Sequence, residues 1–368
     1  MDIFYIFNEA AYNLFTLNGY LLFFILMTAI MYCKFSNQGQ LIIKPTPKLF
    51  SFFIIIYFIL VLALYPSYYP SDKWNYHILF TKVANGDVLF TNKDIGYYIY
   101  VKFISELFPS PLFFFLITTF LYLLGYLYFS FTVCKQYGFI LFIGFASSLG
   151  FASYGYNTLR AGLALSVLLV AFSRSFRGKR WIWIAAIAMS IHLSVVLPLF
   201  MFFILSYRRI NNYKIGLLAW GTCLFISAYF GEGSYTYLEY LFPEVLNERI
   251  SGLLVGDNNI YRAGFRIDFI VYSMFPIIIG MWYKKNFKDV FYDRIFNTYI
   301  LSNAFFLLTV RVNFSDRIAY LSWFLLPFIC LYPLLTKRIF LQQKKYILYV
   351  LSIILMINFT LWFSTTLS

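Results

Sequence analysis

Four short stretches of this chain carry polar side chains in patterns that could do chemistry, three at the edge of an apolar run and one within it. The first reads Tyr68-Tyr69-Pro70-Ser71-Asp72-Lys73-Trp74-Asn75-Tyr76-His77 and continues with Asn92-Lys93-Asp94-Ile95-Gly96-Tyr97. Carboxylates, an imidazole and several rings in so short a segment suit a sugar. Aromatic faces stack on pyranose rings, and Asp accepts hydrogen bonds from hydroxyls. Asp72, Tyr76, His77, Asp94 and Tyr97 are the candidates here; a solvated loop with an interfacial aromatic belt is the plainer reading. The second stretch is Tyr156-Asn157-Thr158-Leu159-Arg160-Ala161-Gly162-Leu163-Ala164. Asn157 is placed to cap a helix, and Arg160 lies one turn in. Helix amino termini attract anions, and a guanidinium there adds a planar fork matched to phosphate oxygens. The alternative is an arginine that anchors a span end by snorkelling.

The third stretch, Val310-Arg311-Val312-Asn313-Phe314-Ser315-Asp316-Arg317-Ile318-Ala319-Tyr320, is a tight turn with two arginines and one carboxylate, and it makes Arg311, Asp316, Arg317 and Tyr320 candidates. Upstream, Asp257–Asp268 places Arg262 and Arg266 four apart, on one helical face. Together with Arg160 these make five guanidinium groups. Ion pairs with Asp268 or Asp316 would account for one or two. The remainder exceeds what anchoring needs and fits an anionic, lipid-linked diphosphate. The fourth is His192, flanked by Ser190 and Ser194 inside an apolar run. An ionisable group at membrane depth is costly and marks a candidate site, although a hydrogen-bonded histidine between helices is the blander explanation.

What is missing narrows the chemistry. No Asp-x-Asp pair stands near a face to hold a metal–nucleotide, and no phosphate-binding glycine loop, GxSxG elbow or HExxH helix is present. Neither a metal nor another cofactor is therefore expected, and a nucleotide-driven cytoplasmic reaction is disfavoured. The four cysteines, Cys33, Cys134, Cys223 and Cys330, have no metal-site spacing and read as small apolar fillers.

The elements that must position these residues are membrane spans. Of 368 residues, 61% are hydrophobic and only 12% charged, far from the quarter usual in soluble domains. The first apolar run lacks a small-residue cleavage site, so no cleaved signal peptide is expected. Apolar runs near twenty residues suit a hydrocarbon layer of roughly 30 Å. Such runs fall near Tyr20–Cys33, Leu49–Tyr65, Leu112–Thr132, Phe139–Phe151, Asn157–Ser173 and Ile215–Phe230, then Phe269–Trp282, Phe296–Val310, Ile318–Leu335 and Tyr346–Phe363. The expected fold is all-α, one polytopic integral membrane domain of about 10–12 membrane helices. Lys and Arg gather in alternate loops, at Cys33–Lys48, Arg174–Arg180, Tyr207–Lys214, Lys284–Arg294 and Lys337–Lys345. These belong in the cytoplasm, so loops at about 66–110 and 231–268 face outward. The net charge of +14 is thus explained by topology and anionic lipid, with no call for nucleic acid.

Trp181–Tyr207 is the exception, since basic loops flank it on both sides. One crossing would put Arg208, Arg209 and Lys214 outside and invert everything downstream. A re-entrant hairpin with His192 near its tip, and Pro198 breaking the return arm, removes the conflict. All acidic residues but Asp289 and Asp293 then face outward. The outward bases are Lys73, Lys82, Lys93, Lys102, Arg249 and the five arginines above.

At these residues the chain resembles the EpsG-like branch of bacterial Wzy-type polysaccharide polymerases. The similarity is carried by Asp72-x-x-x-Tyr76, Asp94-x-Gly96-Tyr97, Asn157-x-Leu159-Arg160-x-Gly162-Leu163-Ala164, His192-x-Ser194, and Arg317 with Tyr320. Ala161 stands where the family often has Gln, and Lys93-Asp94 where Glu-Pro is more usual. The resemblance implies a GT-C-like architecture in the bacterial cytoplasmic membrane. It implies a glycosyl transfer at the outer face, in which a glycan passes from undecaprenyl diphosphate to the sugar of a fresh lipid-linked repeat unit. Partners would be the lipid-linked oligosaccharide, membrane lipid, a chain-length regulator and a flippase. Asp72 comes first as the base that takes the acceptor proton, with His77 and His192 as the other candidates, and Arg160 would hold diphosphate. A lipid-linked oligosaccharide flippase or another lipid-linked-glycan transferase, such as a ligase, shares this topology.

The hairpin is directly testable. In a cysteine-free background, cysteines introduced at Lys179 and Asn212 should both resist an impermeant thiol reagent applied from outside; labelling at Asn212 alone would leave a single crossing.

Overall fold

The computed structural model describes residues 48–65, 72–87, 94–208, 212–230, 265–311 and 315–366. The span expected at Tyr20–Cys33, most of the 231–268 loop and with it Arg262 lie outside them. Every regular element among the described residues is helical, and the chain is an all-α polytopic membrane protein. Pro111–Ala146, Leu159–Phe176, Tyr213–Phe230, Ile267–Lys284 and Ser315–Thr336 are long and apolar enough to cross a bilayer. Among the described residues, the run at Leu49–Tyr65 gives a helix of 17 residues and the run at Phe139–Phe151 is divided between two short helices.

The helices divide between two compact units, one comprising Met1–Val195 with Leu334–Ser368, the other Val196–Pro333. In the first, α1 (Lys48–Leu64) is followed by two short helices, α2 (Asp72–Ala84) and α3 (Ile95–Leu107). Next come α4 (Pro111–Cys134), α5 (Gly138–Ala146), α6 (Leu149–Tyr156), α7 (Leu159–Phe176) and α8 (Ile182–Ile191). Pro111 opens α4 at a position where the missing N–H would have no partner anyway. The chain reverses after α4 at Lys135, whose φ of 49° and ψ of −122° no helix could continue. It then runs back along α4, so that Phe145 meets Phe129 and Tyr126, and Phe151 meets Tyr126 and Tyr122. The reversal divides the apolar helical stretch Pro111–Ala146 into two arms.

The return arm breaks again at Ser147-Ser148. Both hydroxyls turn back onto carbonyls of the preceding turn, Ile143 at 2.9 Å and Phe145 at 2.7 Å, which competes with helix continuation. The carbonyl of Ser147 accepts instead from Asn358 of the last helix, α15 (Gln343–Thr366). Two short helices therefore stand where one span and an outward turn were expected, and residues 152–156 are helical. Asn157 closes α6 and does not cap α7; the residue before α7 is Thr158.

Helix α7 lies parallel to α4. Ser166 donates to the carbonyls of Leu121 and Tyr122, while Arg177 beyond the end of α7 reaches Thr132 and Tyr128. Gly125 makes the approach feasible, because a Cβ there would collide with Ser166. Lys73, expected to face outward, is buried; its Nζ donates to the carbonyls of Leu62, Ala63 and Tyr65 at the end of α1 and lies 4.7 Å from the centre of the Phe115 ring. Carbonyls left over at a helix end are a natural seat for a cation, and burial pushes the Lys73 ammonium well below its ordinary pKa.

Trp181–Tyr207 breaks at His192, which is extended (φ −156°, ψ 122°). A short 3-10 turn, Leu193–Val195, leads into α9 (Val196–Arg208) in the second unit. With 10 and 13 residues, neither α8 nor α9 reaches the length of an ordinary span. Pro198 lies in the first turn of α9, where an N–H has no intrahelical acceptor, so it does not break that arm as expected.

In the second unit, α9 is joined by α10 (Tyr213–Phe230), α11 (Ile267–Lys284), α12 (Val290–Leu308), α13 (Ser315–Trp323) and α14 (Leu326–Thr336). A buried polar network ties four of them. Asn303 accepts from the Trp220 indole and donates to Ser273 and Ser322, and the Trp323 indole donates to Ser273 as well. Pro333 cannot supply an N–H to the Ile329 carbonyl, and the Tyr292 hydroxyl does so at 3.1 Å.

Candidate active site

The first unit brings together three side chains that lie far apart in sequence. Asp94 precedes α3 in the left-handed conformation (φ 59°, ψ 48°), which short polar residues tolerate and which turns its carboxylate away from its own helix. Arg160 sits in the first turn of α7, and His192 ends α8. One Asp94 oxygen takes both partners, Arg160 Nη1 at 3.0 Å and His192 Nδ1 at 3.0 Å. The other accepts the backbone N–H of Leu193 at 3.1 Å, which the break after α8 has released. The side chain of Asp94 is only 2% exposed, that of His192 is 16% exposed, and that of Arg160 is 38% exposed.

Burial alone would raise the Asp94 pKa. The hydrogen bond and charge of His192, the charge of Arg160 and the Leu193 N–H overcome it and bring the carboxyl down to about 2. Asp94 is therefore ionised near neutral pH, and too weak a base to take an alcohol proton. An ionised acceptor requires His192 Nδ1 to be the donor. That tautomer puts the basic lone pair of the imidazole on Nε2.

Gly96 fixes the distance between the two helices. A Cβ at this position would collide with Ser190, so α3 and α8 can approach closely only with glycine there. Around the carboxylate, Tyr97 is buried, and its ring meets that of Tyr76 from α2 at 5.9 Å. Burial drives the Tyr97 phenol well above its usual pKa, with Tyr76 and Tyr100 adding to the rise and the Arg160 charge opposing it. Among the described residues, neither the Tyr97 hydroxyl nor Arg160 Nε has a hydrogen-bond partner, although both atoms are buried. Unsatisfied buried donors in one place are where the acceptor atoms of a ligand would be expected.

The remaining candidates are distributed as follows. Asp72 heads α2, one turn before Tyr76 and on the same side of that helix. His77 stacks on Trp74 with ring centres 5.8 Å apart, and burial lowers its pKa. Asn157 belongs to the turn between α6 and α7. Arg266, Arg311, Asp316, Arg317 and Tyr320 belong to the second unit. Arg266 precedes α11 in non-helical conformation, makes a two-pronged bond to Asp268 at 2.6 and 2.9 Å, and lies 3.7 Å from the centre of the Phe269 ring. Arg266 is thus outside the helix, and Arg262, with which it was expected to share a helical face, lies outside the described residues. Arg311 donates to the Ser227 carbonyl at 3.3 Å and lies 4.9 Å from the centre of the Phe265 ring. Asp316 and Arg317 open α13, and Tyr320 packs against Trp323 at 5.5 Å. Sequence reasoning missed the Leu193 N–H and the Gly96–Ser190 contact. Gly96 left a signal in the Asp-x-Gly-Tyr element; a backbone donor leaves none.

Among the described residues no group of His, Cys, Asp and Glu has the makings of a metal site. The sequence model of the EpsG family matches residues 48–368, and the chain belongs to that family. No curated protein and no solved structure matches it.

The depressed pKa has a measurable consequence. A carboxyl brought from an ordinary value down to about 2 stabilises the fold above pH 4, and that contribution fades as pH falls from about 4 towards 2. Asp94→Asn preserves the left-handed turn and removes the charge. It should cost about 2 kcal/mol near neutral pH and lessen the loss of stability between pH 4 and pH 2, as thermal unfolding of purified protein would show. An unchanged profile would remove the charge from the account of the site.

Proposed function

We propose that this membrane protein of the EpsG family is a glycosyltransferase. It joins undecaprenyl-diphosphate-linked oligosaccharide repeat units at the outer face of the bacterial cytoplasmic membrane, extending an O-antigen, capsular or exopolysaccharide chain. Membership of the family supports a polysaccharide polymerase-like membrane protein. The observation that carries the reaction is the Asp94 carboxylate holding both His192 and Arg160.

In the transfer, the acceptor hydroxyl oxygen bonds to the anomeric carbon of the donor glycan. The bond from that carbon to the diphosphate oxygen breaks, and its electron pair leaves with the diphosphate. Two demands follow: the hydroxyl must lose a proton, and the departing charge must be held. His192 meets the first. Asp94 fixes its tautomer and stabilises the imidazolium that forms, as a carboxylate orients a catalytic imidazole elsewhere. Arg160 meets the second, with its buried Nε and exposed edge available for phosphate oxygens while Asp94 holds one Nη. Tyr76, half-buried, offers a face for a sugar ring, the buried Tyr97 backs it and holds a hydroxyl in reserve for a ligand atom, and Asp72, on the Tyr76 side of α2, serves to hold an acceptor hydroxyl. The base is thus His192 and not Asp72, which the sequence placed first. Diphosphate is already a good leaving group, so the residues named suffice without an activated nucleotide.

Purified protein given only lipid-linked repeat units, with chelator and no nucleotide sugar, should make long chains. His192→Ala should slow chain formation by roughly 100- to 10,000-fold, the usual worth of a general base. Arg160→Ala should cost about 2–4 kcal/mol of transition-state binding that Arg160→Lys does not restore. Asp72→Asn should keep most of the rate. Full-length chains from His192→Ala and none from Asp72→Asn would return the base to the first loop, and a strict need for nucleotide sugar would reject the reaction.

A further inference from the structure

An apolar groove of about 670 Å³ begins at the site just described and runs away from it between α3, α4, α7 and α8. Its near end is formed by neighbours of the three polar residues: Gly96 follows Asp94 by two, Leu163 follows Arg160 by three, and Ile191 precedes His192. Its walls are Ile99 and Phe103 of α3, Leu124 of α4, Val167 and Val170 of α7, and Ile187 of α8. The Gly125–Ser166 contact forms its floor, and its far end is bounded by Tyr128, whose ring lies against the Arg177 guanidinium at 5.4 Å. From Arg160 to Val170 is ten residues of helix, about 15 Å at 1.5 Å per residue.

Three features define what fits. The groove is open at its side, since Ile99, Phe103 and Ile187 are 56%, 57% and 54% exposed, so an occupant can slide in laterally from a bilayer. Its lining is almost entirely apolar. At its head stands an arginine whose buried Nε has no acceptor among the described residues. A long single hydrocarbon chain continuing directly from a phosphate has this distribution of charge.

We infer that this groove seats the proximal part of the polyprenyl chain of a lipid diphosphate, with the diphosphate at Arg160. The inference rests on the glycosyl-transfer reading for the identity of the lipid and adds to it the surface that recognises the carrier. Seating the chain beside α7 brings the diphosphate onto Arg160 and leaves the glycan to project towards His192. The groove thereby selects a carrier lipid as well as a sugar.

The test uses full-length protein in nanodiscs and, as probe, a sugar-free polyprenyl diphosphate carrying a photoreactive diazirine on an isoprene near its head. Labelled peptides should come from α3, α7 and α8, and unlabelled polyprenyl diphosphate should compete where phosphatidylglycerol does not. Val167→Trp fills the groove from within. Ile187→Trp does so from a position exposed enough to leave the fold intact. Each should reduce labelling by about tenfold or more, equivalent to some 1.4 kcal/mol of binding. Leu218→Trp, 72% exposed on α10, should not. Labelling elsewhere, or labelling untouched by Ile187→Trp, would overturn the groove assignment. Equal competition by phosphatidylglycerol would make the groove a seat for bulk lipid and overturn it too. Chain formation by a protein labelled outside the groove defeats this inference and spares the reaction. Groove labelling by a protein that forms no chains defeats the reaction and spares the groove.

Discussion

Asp94 is a carboxylate almost withdrawn from solvent, and the surrounding helices are arranged so that it can stay charged. Leaving such a charge buried and alone would cost several kcal/mol. Here a guanidinium, an imidazole and a backbone N–H share the two oxygens. Each donor requires something of the chain. Arg160 must fall in the first turn of α7, directly after the short bend at Asn157-Thr158. The Leu193 N–H is available only because α8 stops at Ile191, and His192 can turn towards Asp94 only because it is extended. Asp94 itself must adopt a left-handed turn, which Asp accepts at modest cost and a β-branched residue would resist.

The scaffold around this ion cluster is assembled from small residues and redirected carbonyls. In a membrane, helices gain little from burying apolar surface against one another, so close backbone contact and hydrogen bonding do more of the joining. Gly96 against Ser190 and Gly125 against Ser166 bring α3 to α8 and α4 to α7. Carbonyls freed at each break find side-chain donors: Ser147 from Asn358, the end of α1 from Lys73, and Ile329 from Tyr292. Irregular backbone at membrane depth persists only under that condition. The same small residues that let helices touch also leave the space between α3, α4, α7 and α8 open as a groove.

The sequence made some of this legible. Apolar length located α4, α7, α10 and α11 within a few residues, because hydrocarbon thickness dictates it. Asp94, Arg160 and His192 each stood out as polar groups at the edge of, or within, apolar runs. Their meeting could not be read: Asp94 and His192 are 98 residues apart, and no spacing rule spans such a separation. Nor could the break at Ser147-Ser148 be foreseen, since serines within apolar helices are common and only the bond from Asn358 reveals that the carbonyl is released. Lys73 illustrates the opposite error. A lysine beside acidic and aromatic residues reads as a solvated outward charge, yet its amine closes the end of α1. Asn157 was a plausible cap by residue type, and the chain uses it to finish the preceding helix.

The account stands or falls on Asp94 and His192 acting as one unit. A double-mutant cycle on the rate of chain formation, using Asp94→Asn, His192→Ala and the pair, measures this directly. Once the imidazole is gone, its orienting carboxylate has less left to contribute. The double variant should be little slower than His192→Ala, giving a coupling of at least about 1 kcal/mol. Losses that simply add would show the two groups working independently and would contradict the account.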